Sequence, residues 1–315
     1  MHALTIVSGQ LEWAAKPDPV ARGSQLLVEV RAAGVNPADL LQVRGHYPPP
    51  PDVPQDVPGL ELAGTVVGVG PLARHFRVGD RVMALVGGGA QAELALVEES
   101  AALPAPAEIG WESAGGFMEA FATAYDALII QGGLTVGARV LVTGAAGGVG
   151  TAAVQLAALA GADVTASVRR TEFHFRLREL GAQRVMPPAE AAAAGPYDLV
   201  LELVGGPMLS SHLEQLATSG RMLVIGVGAG RRLDLDLSLL MSRRAGIVAS
   251  TLRARSPFEK AALVRTLGER LLPQLTSHRL LVPVAATFPL TDAPAAYARV
   301  GEGGNFGKVV LLSGG

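Results

Sequence analysis

The residues best suited to chemistry lie in VLVTGAAGGVGTAAVQLAA, where an apolar run ends at Thr143 and glycines follow at 144, 147, 148 and 150. A strand that stops at a glycine turn and passes at once into a helix gathers backbone N–H groups at a positive helix N-terminus. That combination suits a pyrophosphate. The strict G-x-G-x-x-G pattern has Ala145 in its first place, so the frame reads A-x-G-x-x-G. Glycines serving only tight helix–strand packing are the alternative reading. A second strand follows the helix, which is the context a dinucleotide site demands. Gly147, Gly148 and Val149 are the predicted pyrophosphate contacts.

The end of that second strand selects the dinucleotide. ADVTASVRRTE places Ser167, Val168, Arg169 and Arg170 where an NAD-preferring site offers an acidic residue to the ribose 2′-hydroxyl. Paired guanidiniums suit a 2′-phosphate, which a carboxylate repels. NADPH is therefore the expected cofactor. Two solvated arginines at a helix start are the alternative.

Other chemistries find little support. The chain has no cysteine, which excludes disulfides, thiolate catalysis, zinc ribbons and iron–sulfur clusters. Its six histidines are scattered, with no HExxH. The segment GHYPPPPDVPQDVPGLE collects His46, Asp52, Asp56 and Glu61. These make an odd zinc set without thiolates on a proline-stiffened loop, so no metal is expected. Gly307-Lys308 is followed by Val309 rather than the Ser or Thr of a P-loop, and there is no GxSxG.

The elements that must position these residues fall into two styles. Up to about residue 115 the chain reads as short strands and turns, among them 26–35, 63–70, 81–86 and 91–99. From about 119 to 251, six short apolar runs alternate with helical segments, as a doubly wound parallel sheet requires. The helical segments include TEFHFRLREL, MLSSHLEQLATS and DLSLLMSRR, and residues 187–196 read as a loop or frayed helix. SPFEKAALVRTLGERLLPQL then reads as one amphipathic helix, and the closing strand GKVVLL is expected to return to the first domain.

Composition bounds the reading. A chain of 315 residues suggests about two domains. Hydrophobic residues at 49% supply a sizeable core, yet no apolar run reaches the ~18 residues of a membrane span. The N-terminus lacks the basic start and apolar stretch of a secretory signal, so a cytoplasmic location is expected. A net charge of −2 argues against general nucleic-acid binding.

Together, AAGVNPADLLQVRGHY, PGLELAGTVVGVG, VGDRVMAL, FATAYDAL, VLVTGAAGGVGTAAVQLA, YDLVLELVGG and FGKVVLL resemble the medium-chain dehydrogenase/reductase superfamily along essentially the whole chain. Asn36 and Leu60 stand where its metal-dependent members place a zinc-binding Cys and His. The chain therefore resembles the zinc-free NADPH:quinone oxidoreductase branch of zeta-crystallin type. GHYPPPP, GGGAQAEL and STLRARS look closest to its tumour-suppressor-induced quinone reductase group.

The resemblance implies a GroES-like β-rich catalytic domain (1–118 and 252–315), a Rossmann NADPH-binding domain (119–251) and a cofactor cleft between them. It also implies a homodimer through the last Rossmann strand, 247–251. By resemblance, Asn36 hydrogen-bonds the substrate carbonyl or the carboxamide. Tyr47 stacks on a flat quinone or donates a proton from its hydroxyl, with a rim tyrosine that only packs against the prolines as the alternative. Thr123, Gly226 and Val227 lie near the nicotinamide end. Asn305 and Lys308 reach the cofactor, with a plain surface lysine as the alternative for Lys308. Arg169 and Arg170 replace the branch's usual Gly-Ser, and Glu172 its lysine. The expected reaction is hydride transfer from NADPH to a quinone. An NADPH-dependent 2-alkenal or enoyl reductase is the alternative enzyme, and an NADPH-sensing, RNA-binding protein the alternative from another class.

Overall fold

A computed structural model describes residues 1–314. The chain divides into two compact units, Met1–Ala122 with Arg255–Gly315, and Thr123–Ala254.

In chain order the first unit begins with β1 (His2–Val7) and β2 (Gln10–Ala15), a hairpin whose turn holds Ser8 and Gly9 at positive φ. Positive φ at both central residues matches the right-handed twist of the strands. Next come β3 (Gln25–Val35), α1 (Pro37–Val43), β4 (Glu61–Val69), β5 (Arg81–Leu85), β6 (Leu94–Glu98) and β7 (Ala102–Pro104). The alternation of β3, with Leu26, Val28, Val30 and Ala32 fully buried, puts one face into the core. Helix α2 (Trp111–Gly115) follows, and the chain crosses into the second unit within α3 (Met118–Tyr125).

The second unit carries β8 (Arg139–Val142), α4 (Gly148–Leu159), β9 (Asp163–Ser167), α5 (His174–Glu179), β10 (Arg184–Met186), α6 (Pro188–Ala191), β11 (Tyr197–Glu202), α7 (Leu209–Glu214), β12 (Leu216–Val224), α8 (Leu237–Arg243) and β13 (Gly246–Ala249). Its six strands are all parallel, in the order β10-β9-β8-β11-β12-β13. Order therefore reverses between β8 and β11, the switch point where open α/β sheets present a crevice at the strands' C-terminal ends.

The chain then returns to the first unit with α9 (Pro257–Arg270), α10 (Leu272–Thr276), β14 (Val284–Pro289), α11 (Ala293–Glu302) and β15 (Lys308–Leu312). Strand β15 lies between β14 and β3 in a sheet ordered β14-β15-β3-β4-β5-β7, with β6 also pairing β3.

Two predicted helices are shorter than their patterns suggest. The 208–219 stretch is helical only to Glu214, because Leu216 already pairs with Tyr197 at the start of β12. The 256–275 stretch breaks at Leu271, since Pro273 has no N–H for a continuing helix and opens α10 instead. Residues 188–191 form a single helical turn, and 171–173 a 3-10 turn before α5.

Candidate functional site

In the second unit, the predicted pyrophosphate turn sits where β8 ends. Gly147 caps α4 with φ −71° and ψ 173°, and Gly148 and Val149 form its first turn. Gly150 has no room for a side chain, because a Cβ there would lie 2.7 Å from the Ala145 backbone. Helix α4 is buried from Gly150 to Ala157, so its axis cannot shift to relieve such a clash. The turn is tied to the next strand where the Ala145 N–H donates to the Ser167 carbonyl at 3.1 Å. Ser167 is buried, whereas Arg169 and Arg170 just beyond it are exposed. The Arg170 guanidinium lies 3.3 Å from Glu172 and above the Phe173 ring.

At the far side of the switch point, Gly226 and Val227 follow the end of β12. A Cβ on Gly226 would meet the Leu203 carbonyl carbon at 2.7 Å, so glycine permits this close approach. Thr123 is buried on α3, just ahead of a π-helical segment at Asp126–Gln131, a geometry that recurs at functional sites.

Glu202, at the C-terminal end of β11, was not among the predicted site residues. It is fully buried. Its Oε1 accepts from the Thr143 hydroxyl at 2.9 Å and from the Val204 and Gly205 N–H groups at 2.9 and 2.8 Å, and Oε2 faces His212 Nδ1 at 2.7 Å. Burial pushes its carboxyl up, but hydrogen bonds from His212, Gly205 and Val204 outweigh that and hold it below the ordinary glutamate value. The available signal was an acid inside the apolar run of β11, since a fully buried carboxylate is rare unless paired.

In the first unit, Asn36 and Lys308 come together. Lys308 Nζ donates to Asn36 Oδ1 at 2.6 Å and lies 2.6 Å from Glu61 Oε1. Asn36 Nδ2 donates to the same Glu61 oxygen at 3.1 Å, and Glu61 Oε2 accepts from the Glu119 N–H at 2.9 Å. All three side chains are buried, so the surface-lysine alternative for Lys308 falls. Sequence reasoning placed Glu61 in a proline loop, whereas it opens β4 inside the core. Gly34 makes space for it, since a Cβ there would lie 2.7 Å from the Glu61 carboxyl carbon. The network continues through Asp39. Its Oδ2 accepts from the Asn36 N–H at 2.8 Å, its Oδ1 from the Gly59 N–H at 3.2 Å, and Tyr297 donates to nearby Gln91 at 2.8 Å.

Tyr47 is half-buried in the bend after α1. Asn305 donates through Nδ2 to the Arg299 carbonyl at 3.1 Å, while its buried Oδ1 has no partner among the described residues.

The chain matches two family models, the alcohol dehydrogenase GroES-like domain over residues 22–130 and the zinc-binding dehydrogenase over 148–266. It is 28% identical to human quinone oxidoreductase over 308 residues, covering 93% of this chain and 91% of that protein. It is 31% identical over 306 residues to the polyketide synthase GfsB of Streptomyces halstedii, matching 96% of this chain while spanning only 5% of the synthase. The mycobacterial protein Rv1454c, solved in complex with NADPH, superposes with a TM-score of 0.87 at 27% identity, covering 99% of each chain.

The second model's description implies zinc, which the residues present do not fit. Asn36 meets an ammonium group, Leu60 is a buried hydrocarbon, and no three His, Cys, Asp or Glu gather as a metal site among the described residues. A nicotinamide cofactor does fit, because Gly147 and Gly148 open the N-terminus of α4 without a Cβ at the end of β8, beside the switch point. With a GroES-like unit, a Rossmann unit in the order 3-2-1-4-5-6 and these matches along its length, the chain belongs to the medium-chain dehydrogenase/reductase superfamily.

Proposed function

We propose that the protein is a zinc-independent oxidoreductase that transfers hydride from NADPH to a quinone. The observation that carries the reading is the glycine-rich turn from β8 into α4, tied to the end of β9 just ahead of the exposed Arg169 and Arg170. Likeness to quinone oxidoreductases over nearly the whole chain supports the acceptor class.

When bound, the nicotinamide supplies the hydride. The chain's own residues bind and orient. Gly147, Gly148 and Val149 present backbone N–H groups to the pyrophosphate. Arg169 and Arg170 neutralise the 2′-phosphate, and Ser167 shapes the ribose side of the turn. Thr123, Gly226 and Val227 border the nicotinamide end. Asn305 offers its unpartnered Oδ1 as an acceptor for an amide N–H. Asn36, held by Lys308 and Glu61, orients the acceptor carbonyl, and Tyr47 covers the quinone face or supplies a proton. Lys308 thereby acts through Asn36 rather than on the cofactor directly.

The second reading is a 2-alkenal or enoyl reductase on the same scaffold, since the fold does not choose the acceptor. A panel of ortho- and para-quinones beside 2-alkenals, followed by nicotinamide absorbance with a chelator present, tests both. Turnover on quinones with NADPH ahead of NADH is expected. Turnover on alkenals alone transfers the assignment to the second reading, and tight NADPH binding without turnover transfers it to a sensing role. The proposal includes a cytoplasmic homodimer paired through β13, the edge strand of its sheet. Sedimentation at twice the monomer mass is the expected result.

A further inference from the structure

Glu202 does more than satisfy its own burial. Its carboxylate holds the Thr143 hydroxyl, at the start of the glycine turn, and the N–H groups of Val204 and Gly205 in the neighbouring loop. Its backbone carbonyl accepts from the Ile225 and Gly226 N–H groups at 2.9 and 3.1 Å. One residue thus binds three segments that end β8, β11 and β12. Further bonds close the arrangement. The Leu203 N–H donates to the Thr143 hydroxyl at 2.9 Å, the Ala229 N–H to the Val204 carbonyl at 2.9 Å, and the Gly206 N–H to the Gly230 carbonyl at 2.9 Å.

Gly205 and Gly206 hold φ of 76° and 81°, and a Cβ on Gly206 would contact Ala229 at 3.1 Å. That loop therefore has little freedom once Glu202 has fixed its first N–H groups. His212, on α7, completes the arrangement. A carboxylate oxygen only accepts, so Nδ1 carries the proton facing Glu202 Oε2. His212 Nε2 is buried without a partner among the described residues. The ring's one hydrogen bond is thus the one it gives to Glu202, at the expense of an unpaired nitrogen.

We propose that Glu202, braced by His212, is the positioning residue of the cofactor cradle, fixing the glycine turn at Thr143 against the Gly226–Val227 segment. The inference rests on the nicotinamide-site reading above. It assigns the pair to binding the dinucleotide in register rather than to the hydride step.

The test compares Glu202→Ala, Glu202→Gln, His212→Leu and His212→Asn with the parent, by NADPH fluorescence titration and by separate KM and kcat with a quinone acceptor. Glu202→Ala and His212→Leu are expected to raise Kd and KM for NADPH about tenfold or more, with kcat at saturation changed by less than about threefold. His212→Asn keeps a donor near the Nδ1 position and is expected to recover most of the affinity. A cooperatively melting Glu202→Ala or His212→Leu with parental Kd overturns the inference, as does equal Kd for His212→Asn and His212→Leu. Loss of kcat alone also overturns it. Should Glu202→Ala fail to fold, Glu202→Gln carries the decision, since it keeps one acceptor oxygen but loses the charge. Parental affinity in that variant counts against the inference and weakened affinity for it. A parent protein that binds neither NADPH nor NADH sinks the site reading itself.

Discussion

The two units position polar groups by opposite means. In the first, a buried ammonium and carboxylate, Lys308 and Glu61, grip the side chain of Asn36. In the second, glycines at 147, 148 and 150 keep Cβ atoms off the turn between β8 and α4, where the backbone packs too closely at Gly150 to admit one. The first arrangement depends on charges taken out of water, which makes it fragile to the loss of either partner. The second depends on the absence of a Cβ, which makes it fragile to additions. A carboxylate supports both places. Glu61 serves a side chain, whereas Glu202 serves backbone N–H groups and a hydroxyl.

Removing the charge in the first unit tests this contrast most severely. Lys308→Met strands the Glu61 carboxylate and is expected to destabilise the protein by about 3–5 kcal/mol, read by denaturant unfolding. Adding Glu61→Leu should recover part of that loss. Equal stability of Lys308→Met and the parent would dissolve the comparison. The reciprocal test adds a methyl group in the second unit. Gly150→Ala drives a Cβ into the Ala145 backbone and is expected to cost about 1–3 kcal/mol and to abolish measurable NADPH binding. Binding at parental strength would show that the turn is not a close-fitting cradle.

A smaller effect separates binding from folding. Arg169→Ser with Arg170→Ser should weaken NADPH on the order of tenfold, leave NADH within about twofold and leave the melting temperature unchanged. Loss of both cofactors equally would assign the arginines to solvent. The smallest effect is in acid. The Glu202 carboxyl is held below its ordinary value, so its contribution to stability is complete above about pH 5 and is lost as pH falls through the lowered value. The unfolding midpoint should drop below about pH 4 less steeply in Glu202→Gln than in the parent.

Much of this architecture was legible in the chain because the signals were periodic. The six apolar runs of the second unit gave its strands, and the glycines at 144–150 marked the turn between β8 and α4. Where local pattern competed with pairing, pairing won. The stretch 208–219 looked helical, yet Leu216 was taken by Tyr197 across the sheet. Proline at 273 ended a helix whose amphipathic pattern ran on past it. Least visible were the buried charges. Nothing near Lys308 announces Glu61 or Asn36, which lie hundreds of positions earlier, and a sequence scan cannot convert a GK dipeptide into a core ion pair. Glu202 and His212 are ten residues apart, but only the packing of α7 on β12 and the end of β11 brings the ring to the carboxylate.

The place of β15 between β14 and β3 carries a consequence for how the molecule is made. Residues 123–254 are one uninterrupted stretch and can close their sheet as soon as they leave the ribosome. The unit that starts the chain has to wait. Until Lys308 is synthesised, the Asn36 and Glu61 side chains lack their cation, and the edge of β3 at Ala32–Val35 lacks its neighbour. During translation the segment 1–122 thus stays unfinished after residues 123–254 are complete, and an exposed strand edge is what the nascent chain must shelter meanwhile.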